Sequence, residues 1–282
     1  MQAAPIRIPR VLSIAGSDSG GGAGIQADLK AFARCGVHGM TAITALTWQN
    51  TVAVEGVTPV PPDAIVGQVR AVASDIGVDA VKIGMLGTSE TIAAVGAALD
   101  LIPDAPVVLD PVMVSESGAQ LLETGARRAL LELLPRATVV TPNLLEARAL
   151  LDEAGIDSDG NAPALARAIL ALGPQNVVVT GGHSTDSDSI DYFSDGEHDE
   201  PIPGPRFADG AAHGSGCTHS SALAAHLALG LTPFEAAVAA KGVASEAVRD
   251  GLQDIGAGPG PVDALGVAAR TGARKRIRTP LA

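Results

Sequence analysis

The chain has 282 residues, 46% of them hydrophobic and 18% charged, with a formal net charge of −12. That length allows one large α/β domain or two small ones, and the acidic excess argues against a non-specific nucleic-acid binder, so any phosphate handled here must be held by local amides and a metal. Two cysteines, Cys35 and Cys217, with no Cys-x-x-Cys between them, exclude a disulfide framework.

No apolar run reaches the roughly 18 residues of a membrane span, and residues 1–10 lack the apolar centre of a signal peptide. The expectation is a cytoplasmic protein with neither membrane nor nucleic-acid partners. Aromatic residues are only 2% of the chain, so the core must be aliphatic.

Residues 10–15 form a short apolar run, the first predicted strand. It ends in the Gly-rich stretch 16–24, whose spacing fits neither a dinucleotide fingerprint nor a P-loop. A helix follows over 25–35, with Ile25, Leu29, Phe32 and Ala33 as its apolar stripe. Asp28 falls within that stripe. A carboxylate on an inward face costs energy unless it is paired or serves a ligand, which makes Asp28 a candidate site residue. Strands over 39–46 and 52–60 flank Thr47-Trp48-Gln49-Asn50-Thr51, where the amides of Gln49 and Asn50 suit either a heterocycle edge or a turn.

Further on, the pattern predicts helices over 63–76, 88–99 (with Thr88 as N-cap), 123–134 and 162–172, and strands over 80–85, 107–110, 138–141 and 176–180. This alternation predicts a largely parallel sheet covered by helices on both faces. Ligands of such sheets bind past the carboxyl ends of the strands. Gly16, Gln49, Met85, Asp110, Asn143, Glu146 and Gly181 all follow directly on a predicted strand and so converge on one edge. The acidic stretch 184–212 reads as solvated surface, with a hairpin pairing 190–194 and 203–207 around Asp195-Gly196. A Gly-rich turn then runs into a helix over 220–229, and a second helix covers 233–249. The basic residues 273–278 read as a frayed end. The expected division is an extension over 1–9, one domain over 10–265 and a basic, disordered tail over 266–282.

The turn His213-Gly214-Ser215-Gly216-Cys217 carries the chemistry. Its glycines let the backbone bend tightly. The first amides of the following helix have no intrahelical partner and sit at the positive end of the helix dipole, a ready anion site. A thiol in that position tends to a lowered pKa. Asp110 and Glu146, past neighbouring strands, are two carboxylates suited to Mg²⁺. The amides of Gly214, Ser215 and Gly216 would hold a phosphoryl group as charge develops on it, with Cys217 facing the attacking group. These are the parts that in-line phosphoryl transfer needs. His213 and His219 read as caps or packing groups.

Five segments in order also carry a resemblance. They are Ala15-Gly16-Ser17-Asp18-Ser19-Gly20-Gly21-Gly22-Ala23-Gly24-Ile25-Gln26-Ala27-Asp28, Lys82-Ile83-Gly84-Met85-Leu86, Asp110-Pro111-Val112-Met113, Thr141-Pro142-Asn143-Leu144-Leu145-Glu146 and His213-Gly214-Ser215-Gly216-Cys217. The chain resembles the hydroxymethylpyrimidine and phosphomethylpyrimidine kinases of thiamine biosynthesis, within the ribokinase-like superfamily, from about residue 10 to 263. The resemblance implies a three-layer α/β/α sandwich with a mostly parallel central sheet. It also implies ATP as donor with Mg²⁺, phosphorylation of the pyrimidine alcohol and then of its monophosphate, and a homodimer.

By position, the resemblance puts Gly16, Asp28, Gln49, Met85 and Val112 around the pyrimidine. Cys217 stands where most ribokinase relatives carry an Asp that deprotonates the substrate hydroxyl. Asn143 and Glu146 fall at Mg²⁺ and the nucleotide phosphates, with Asp110 beside them, and Thr180 and Lys241 fall on the nucleotide side. Thr180 departs from the family, many members of which carry Lys there, and it cannot supply that charge. It is similar to the pyridoxal kinases of the same subgroup, the near alternative, whereas Trp48-Gln49-Asn50-Thr51 favours the pyrimidine. A non-catalytic pyrimidine-binding protein and a thiol enzyme acting covalently through Cys217 are the alternatives of other classes.

Overall fold

The computed structural model describes residues 7–157, 159–181, 189–207 and 211–272. Strand β1 (Arg10–Asp18) lies at the middle of the fold, with Val11, Leu12, Ile14 and Ala15 all fully buried. Helix α1 (Gly24–Arg34) turns Ile25, Ala27, Asp28, Ala31 and Phe32 inward. Strands β2 (His38–Gln49) and β3 (Val54–Pro59) follow, and α2 (Pro62–Asp75) opens on proline, where a missing N–H costs nothing. Strand β4 (Ala80–Ile83) leads to α3 (Ser89–Leu99), capped by Thr88, whose hydroxyl accepts from the Thr91 N–H. Then come β5 (Val107–Leu109), α4 (Arg127–Leu133) and β6 (Val139–Val140). Helices α5 (Leu144–Ala154) and α6 (Ala162–Leu170) precede β7 (Asn176–Val179) and the hairpin of β8 (Asp191–Ser194) and β9 (Asp199–Ile202). Helices α7 (Ser215–Ala228), α8 (Pro233–Arg249) and α9 (Val267–Thr271) close the described chain.

Among the described residues nine strands form one sheet, in the order β3-β2-β1-β4-β5-β6-β7-β8-β9. Pairing is parallel from β2 through β7 and antiparallel where β3, β8 and β9 join at the two ends. Alternation along each strand sorts the core into two layers. Val11, Val108, Val139 and Val178 face α1, α7 and α8, while Leu12, Ile14, Val81, Ile83, Leu109 and Val140 face α2, α3 and α4. The chain runs from β1 outward to β3, then returns across β1 and builds in the other direction from β4. That reversal opens a crevice at the carboxyl ends of β1 and β4, where open α/β sheets bind ligands. The expected α/β/α sandwich is therefore present, with the site edge where the strand ends place it.

Four local expectations are corrected. The return arm of the hairpin is 199–202, not 203–207. The Asp195 carboxylate accepts from the Glu197 and His198 N–H groups and Gly196 takes φ 92°, so the chain reverses at once. Helix α5 was not expected; it begins with a complete capping box between Asn143 and Glu146. Helix α7 begins at Ser215, five residues before the expected 220, so Ser215, Gly216 and Cys217 are its first turn and not a preceding loop. The expected tail boundary at 266 falls at a short helix, α9, whose Val267 and Ala268 N–H groups donate to the Asp263 carboxylate. Residues 273–278 and part of the acidic stretch, including Asp186 and Asp188, lie outside the described residues. No described helix is long and apolar enough to cross a membrane.

Candidate active site

The loop after β1 and the start of α7 are built against each other. The Asp18 carboxylate accepts from the Gly20, Gly22 and Ala23 N–H groups at 2.7, 2.9 and 2.8 Å, and His213 Nε2 lies 3.3 Å from it. Burial works to raise the Asp18 carboxyl; His213 and the amides of Ala23 and Gly20 outweigh it and hold it below the usual range. Gly214, the N-cap of α7, takes φ 84°, and a methyl group there would overlap the Gly22 carbonyl. Backbone packed on backbone thus seats the first turn of α7 over the ends of β1 and β4.

The result is a cavity of about 870 Å³ along the strand ends. Gly16 and Gln49, expected just beyond their strands, line it from within the last residues of β1 and β2, which run on to Asp18 and Gln49, while Met85 and Val112 line it past β4 and β5. Asn143, Glu146 and Thr180 line it past β6 and β7, with Lys241 from α8. Gly214, Ser215, Gly216 and Cys217 form its wall at the start of α7, and Asp110 faces it past β5. Of the expected site residues, only Asp28 is missing from this wall. Its carboxylate is fully buried behind the cavity, where it accepts from Ser13 and Ser221 and pairs with Lys82. The inward stripe position was read correctly from the helix period, but a protein cation satisfies the charge, not a ligand.

The anion cradle is also narrower than expected. The Ser215 N–H donates to the Ala212 carbonyl at 2.9 Å. The Gly216 and Cys217 amides stand in the first turn, where a helix supplies no acceptor, and both residues line the cavity. Cys217 itself is half-buried, and the Gly24 N–H donates to its sulfur. The expected acidic thiol is corrected. Burial pushes Cys217 up to about 12; Lys82 opposes the rise, Asp28 and Asp110 add to it, and the Gly24 amide opposes it weakly.

Asp110 accepts from Ser220 Oγ at 2.9 Å. Burial raises its carboxyl against the opposing pull of Lys82 and Ser220. Glu146 is pushed up to about 8, by burial and then by Asp110, with the Asn143 and Met113 amides working against it. Two carboxylates that hinder each other's ionisation form a donor set that a hard cation would relieve, so the residues fit Mg²⁺. Among the described residues no group of three or more His, Cys, Asp or Glu gathers around one point, so an ion here would keep water or phosphate oxygens in its shell. Asn143 and Glu146 also serve locally: Asn143 Oδ1 accepts from the Leu145 and Glu146 N–H groups, and Glu146 Oε2 accepts from the Asn143 N–H.

On the far side, the Lys241 ammonium donates to Asp191 at 2.7 Å and to Ser189 at 2.9 Å. The Thr180 N–H donates to the Pro142 carbonyl, which ties the end of β7 to the start of α5. His219 Nε2 lies 3.4 Å from Asp191 and the residue is buried at the same cavity wall; burial lowers its pKa more than Asp191 raises it. Lys82, which sequence reasoning quoted without a role, lines the same cavity from beneath. A lysine inside the otherwise apolar run Ala80-Val81-Lys82-Ile83 was the signal for it.

A match described as phosphomethylpyrimidine kinase spans residues 18–263. The chain belongs to this family. It is a phosphotransferase, and its sheet and helices are the ribokinase-like fold. A hydroxymethylpyrimidine/phosphomethylpyrimidine kinase of Rhizobium meliloti is 47% identical over 254 residues, covering 89% of this chain and 95% of the relative. A thiamine biosynthesis bifunctional protein of Geobacter sulfurreducens is 45% identical over 92% of this chain, which spans about half (53%) of that longer protein. Among solved structures, the pyridoxal kinase of Staphylococcus aureus in complex with ADP superposes with a TM-score of 0.82 at 38% identity, covering 92% of this chain and 94% of that one.

Proposed function

We propose that the protein transfers the γ-phosphate of ATP to the hydroxymethyl group of 4-amino-5-hydroxymethyl-2-methylpyrimidine, and then phosphorylates the resulting monophosphate to the diphosphate, in thiamine biosynthesis. One arrangement carries this reading. The first turn of α7 brings two helix-terminal amides and the Cys217 thiol into the cavity that also holds Asp110, Glu146 and Gln49. The acceptor oxygen forms a bond to the γ-phosphorus, the bond to the β-phosphate oxygen breaks, and the hydroxyl proton passes to the Cys217 thiolate, the form that burial disfavours before substrate is bound. The Gly216 and Cys217 N–H groups face the charge that develops on the migrating group.

Gly16, Gln49, Met85 and Val112 would surround the pyrimidine. The amide of Gln49 supplies both a donor and an acceptor for a ring edge. Gly16 keeps that wall close: a Cβ there would lie 3.1 Å from Met85 Sδ. Asn143, Thr180 and Lys241 would meet the nucleotide, Lys241 as a donor already paired with Asp191. Asp110 and Glu146 would hold Mg²⁺, which neutralises phosphate charge when bound. The Asn143 and Met113 amides that donate to Glu146 would fix its carboxylate in place for that role. A cytoplasmic location, a homodimeric assembly and the absence of nucleic-acid and membrane partners belong to the same proposal.

Pyridoxal phosphorylation is the second reading, favoured by the S. aureus neighbour and by Thr180. Steady-state kinetics separates them. We expect kcat/KM for the pyrimidine alcohol to exceed that for pyridoxal by at least about tenfold, the discrimination a shaped pocket provides. A preference for pyridoxal would reverse the assignment.

A further inference from the structure

The segment Gly256-Ala257-Gly258-Pro259-Gly260-Pro261 follows α8, and none of its residues lines the cavity. It is nevertheless fixed at both ends. At one end the Leu252 N–H donates to the Pro261 carbonyl at 2.8 Å and the Val262 N–H donates to the His213 carbonyl at 3.1 Å, beside the start of α7. At the other, the Gly258 N–H donates to Thr51 Oγ1 at 3.2 Å, across 207 residues of sequence. There the chains meet backbone on backbone. A methyl group at Gly258 would overlap the Thr51 carbonyl, and one at Gly256 would overlap the Thr51 side chain. Bare glycine backbone is what allows so close an approach.

This clasp adds little to the core, since Gly256 and Ala257 are exposed and Gly258 and Thr51 only half-buried. Its place points to another use, because Thr51 stands two residues beyond Gln49. The ladder of β2 and β3 pairs Trp48 with Gly56 and then Gln49 with Val54, which leaves Glu55 as an extra residue. A bulge of this kind re-aims the side chains beside it and is frequent next to active sites. Gln49, at the slip, lines the cavity. Its backbone is gripped from the β1 loop: the Ser19 hydroxyl donates to the Gln49 carbonyl at 2.7 Å, and the Gln49 N–H donates to Ser19 Oγ at 2.9 Å. Asn50 Oδ1 accepts from the Val52 and Ala53 N–H groups, which closes the turn that carries Thr51. Gly258 then holds this closed turn from outside the sheet.

We propose that Gly258 and Thr51 are positioning residues for Gln49: their clasp sets where the bulged end of β2 presents its amide to the ring of the acceptor. This rests on the reading that Gln49 meets the pyrimidine.

The test is isothermal titration calorimetry with the pyrimidine alcohol, beside the KM for ATP and a thermal melt. Thr51→Val keeps the side chain's shape and loses its oxygen; it should weaken pyrimidine binding by about three- to tenfold, the size of one lost neutral hydrogen bond. Thr51→Ser keeps the oxygen and should bind within about twofold of the parent. Gly258→Ala must displace the turn and should weaken binding by at least about tenfold. In all three variants the KM for ATP should stay within about twofold of the parent.

A clasp kept only for the fold would lower Tm and leave the pyrimidine Kd in place, or weaken pyrimidine and ATP alike; either result overturns the proposal. Should Gly258→Ala fail to fold, Thr51→Val and Thr51→Ser decide between them, and equal Kd values for the two overturn it. Gln49→Ala tells the two levels apart. The clasp acts through Gln49, so adding Thr51→Val to Gln49→Ala should cost less than about twofold more; the full loss in that background overturns the proposal. Parent-like pyrimidine binding by Gln49→Ala removes the placement of Gln49 at the ring, and the proposal with it. A weakened Gln49→Ala beside an unchanged Thr51→Val removes the role of the clasp alone.

Discussion

Cys217→Ala is expected to lower kcat by about 10²–10⁴-fold, the usual contribution of a positioned proton acceptor, while the KM for ATP changes little. The split follows from where the sulfur stands. Cys217 is the third residue of α7, with its side chain at the cavity wall near Lys82 and Asp110. The Gly216 and Cys217 amides survive the substitution, so the phosphates keep their cradle. What is lost acts only as the acceptor hydroxyl gives up its proton, and a loss confined to that moment appears in kcat and not in ground-state binding. Alanine is smaller than cysteine and sits well in a helix, so Tm should hold. Initial-rate kinetics with the pyrimidine alcohol, beside a thermal melt, checks this. Unchanged kcat would remove the proton-acceptor role.

Gly214→Ala should be the most damaging substitution at the site that alters no reactive group. The residue takes φ 84°, a left-handed conformation that costs an L-residue about 1–2 kcal/mol. The added methyl would also overlap the Gly22 carbonyl. That neighbour is backbone, itself fixed by the hydrogen bond from the Gly22 N–H to Asp18, so no flexible side chain can swing aside. The first turn of α7 must move, and a displacement of about 1 Å at a reacting centre can cost on the order of 10²-fold in rate. We expect kcat/KM to fall by at least that factor and Tm to fall by several degrees. Gly216→Ala is the control for stability: its Cβ would meet nothing within 4 Å, and its φ is not left-handed, so its melt should match the parent. Equal melts and equal activity for Gly214→Ala and the parent would show that the interlock does not position the turn.

These two glycines show how much of the site could be read from sequence. Both were expected to bend a turn. Only Gly214 does; Gly216 already lies within α7, and a sequence does not reveal whether a Gly-Ser-Gly run precedes a helix or begins it. The α/β alternation and the gathering of Gly16, Gln49, Met85, Asp110, Asn143 and Glu146 at one edge were legible because short apolar runs mark strands and strand ends mark ligand edges. Helix α5 was not, because Asn143 and Glu146 were read for their chemistry when their spacing also spelled a capping box.

Asp28 illustrates a different limit. Helix period placed its carboxylate inward, and that was right. Its partner was Lys82, 54 residues further on, and nothing local in either segment pairs them. The acidity of Cys217 failed for a related reason. Burial, which the local sequence does not show, is the largest influence on the Cys217 thiol and raises it; Lys82 opposes the rise, and Asp28 and Asp110 add to it.

Phosphorus NMR of the reaction products tests the central claim most directly. With Mg²⁺ and excess ATP, the pyrimidine alcohol and its monophosphate are supplied as separate inputs. The account predicts that the alcohol yields first the monophosphate ester and then the coupled doublets of the diphosphate, that the monophosphate yields the diphosphate directly, and that one ADP is formed for each phosphoryl group transferred. Tight binding of the pyrimidine with ATP left intact, or ADP released with only inorganic phosphate beside it, would contradict it.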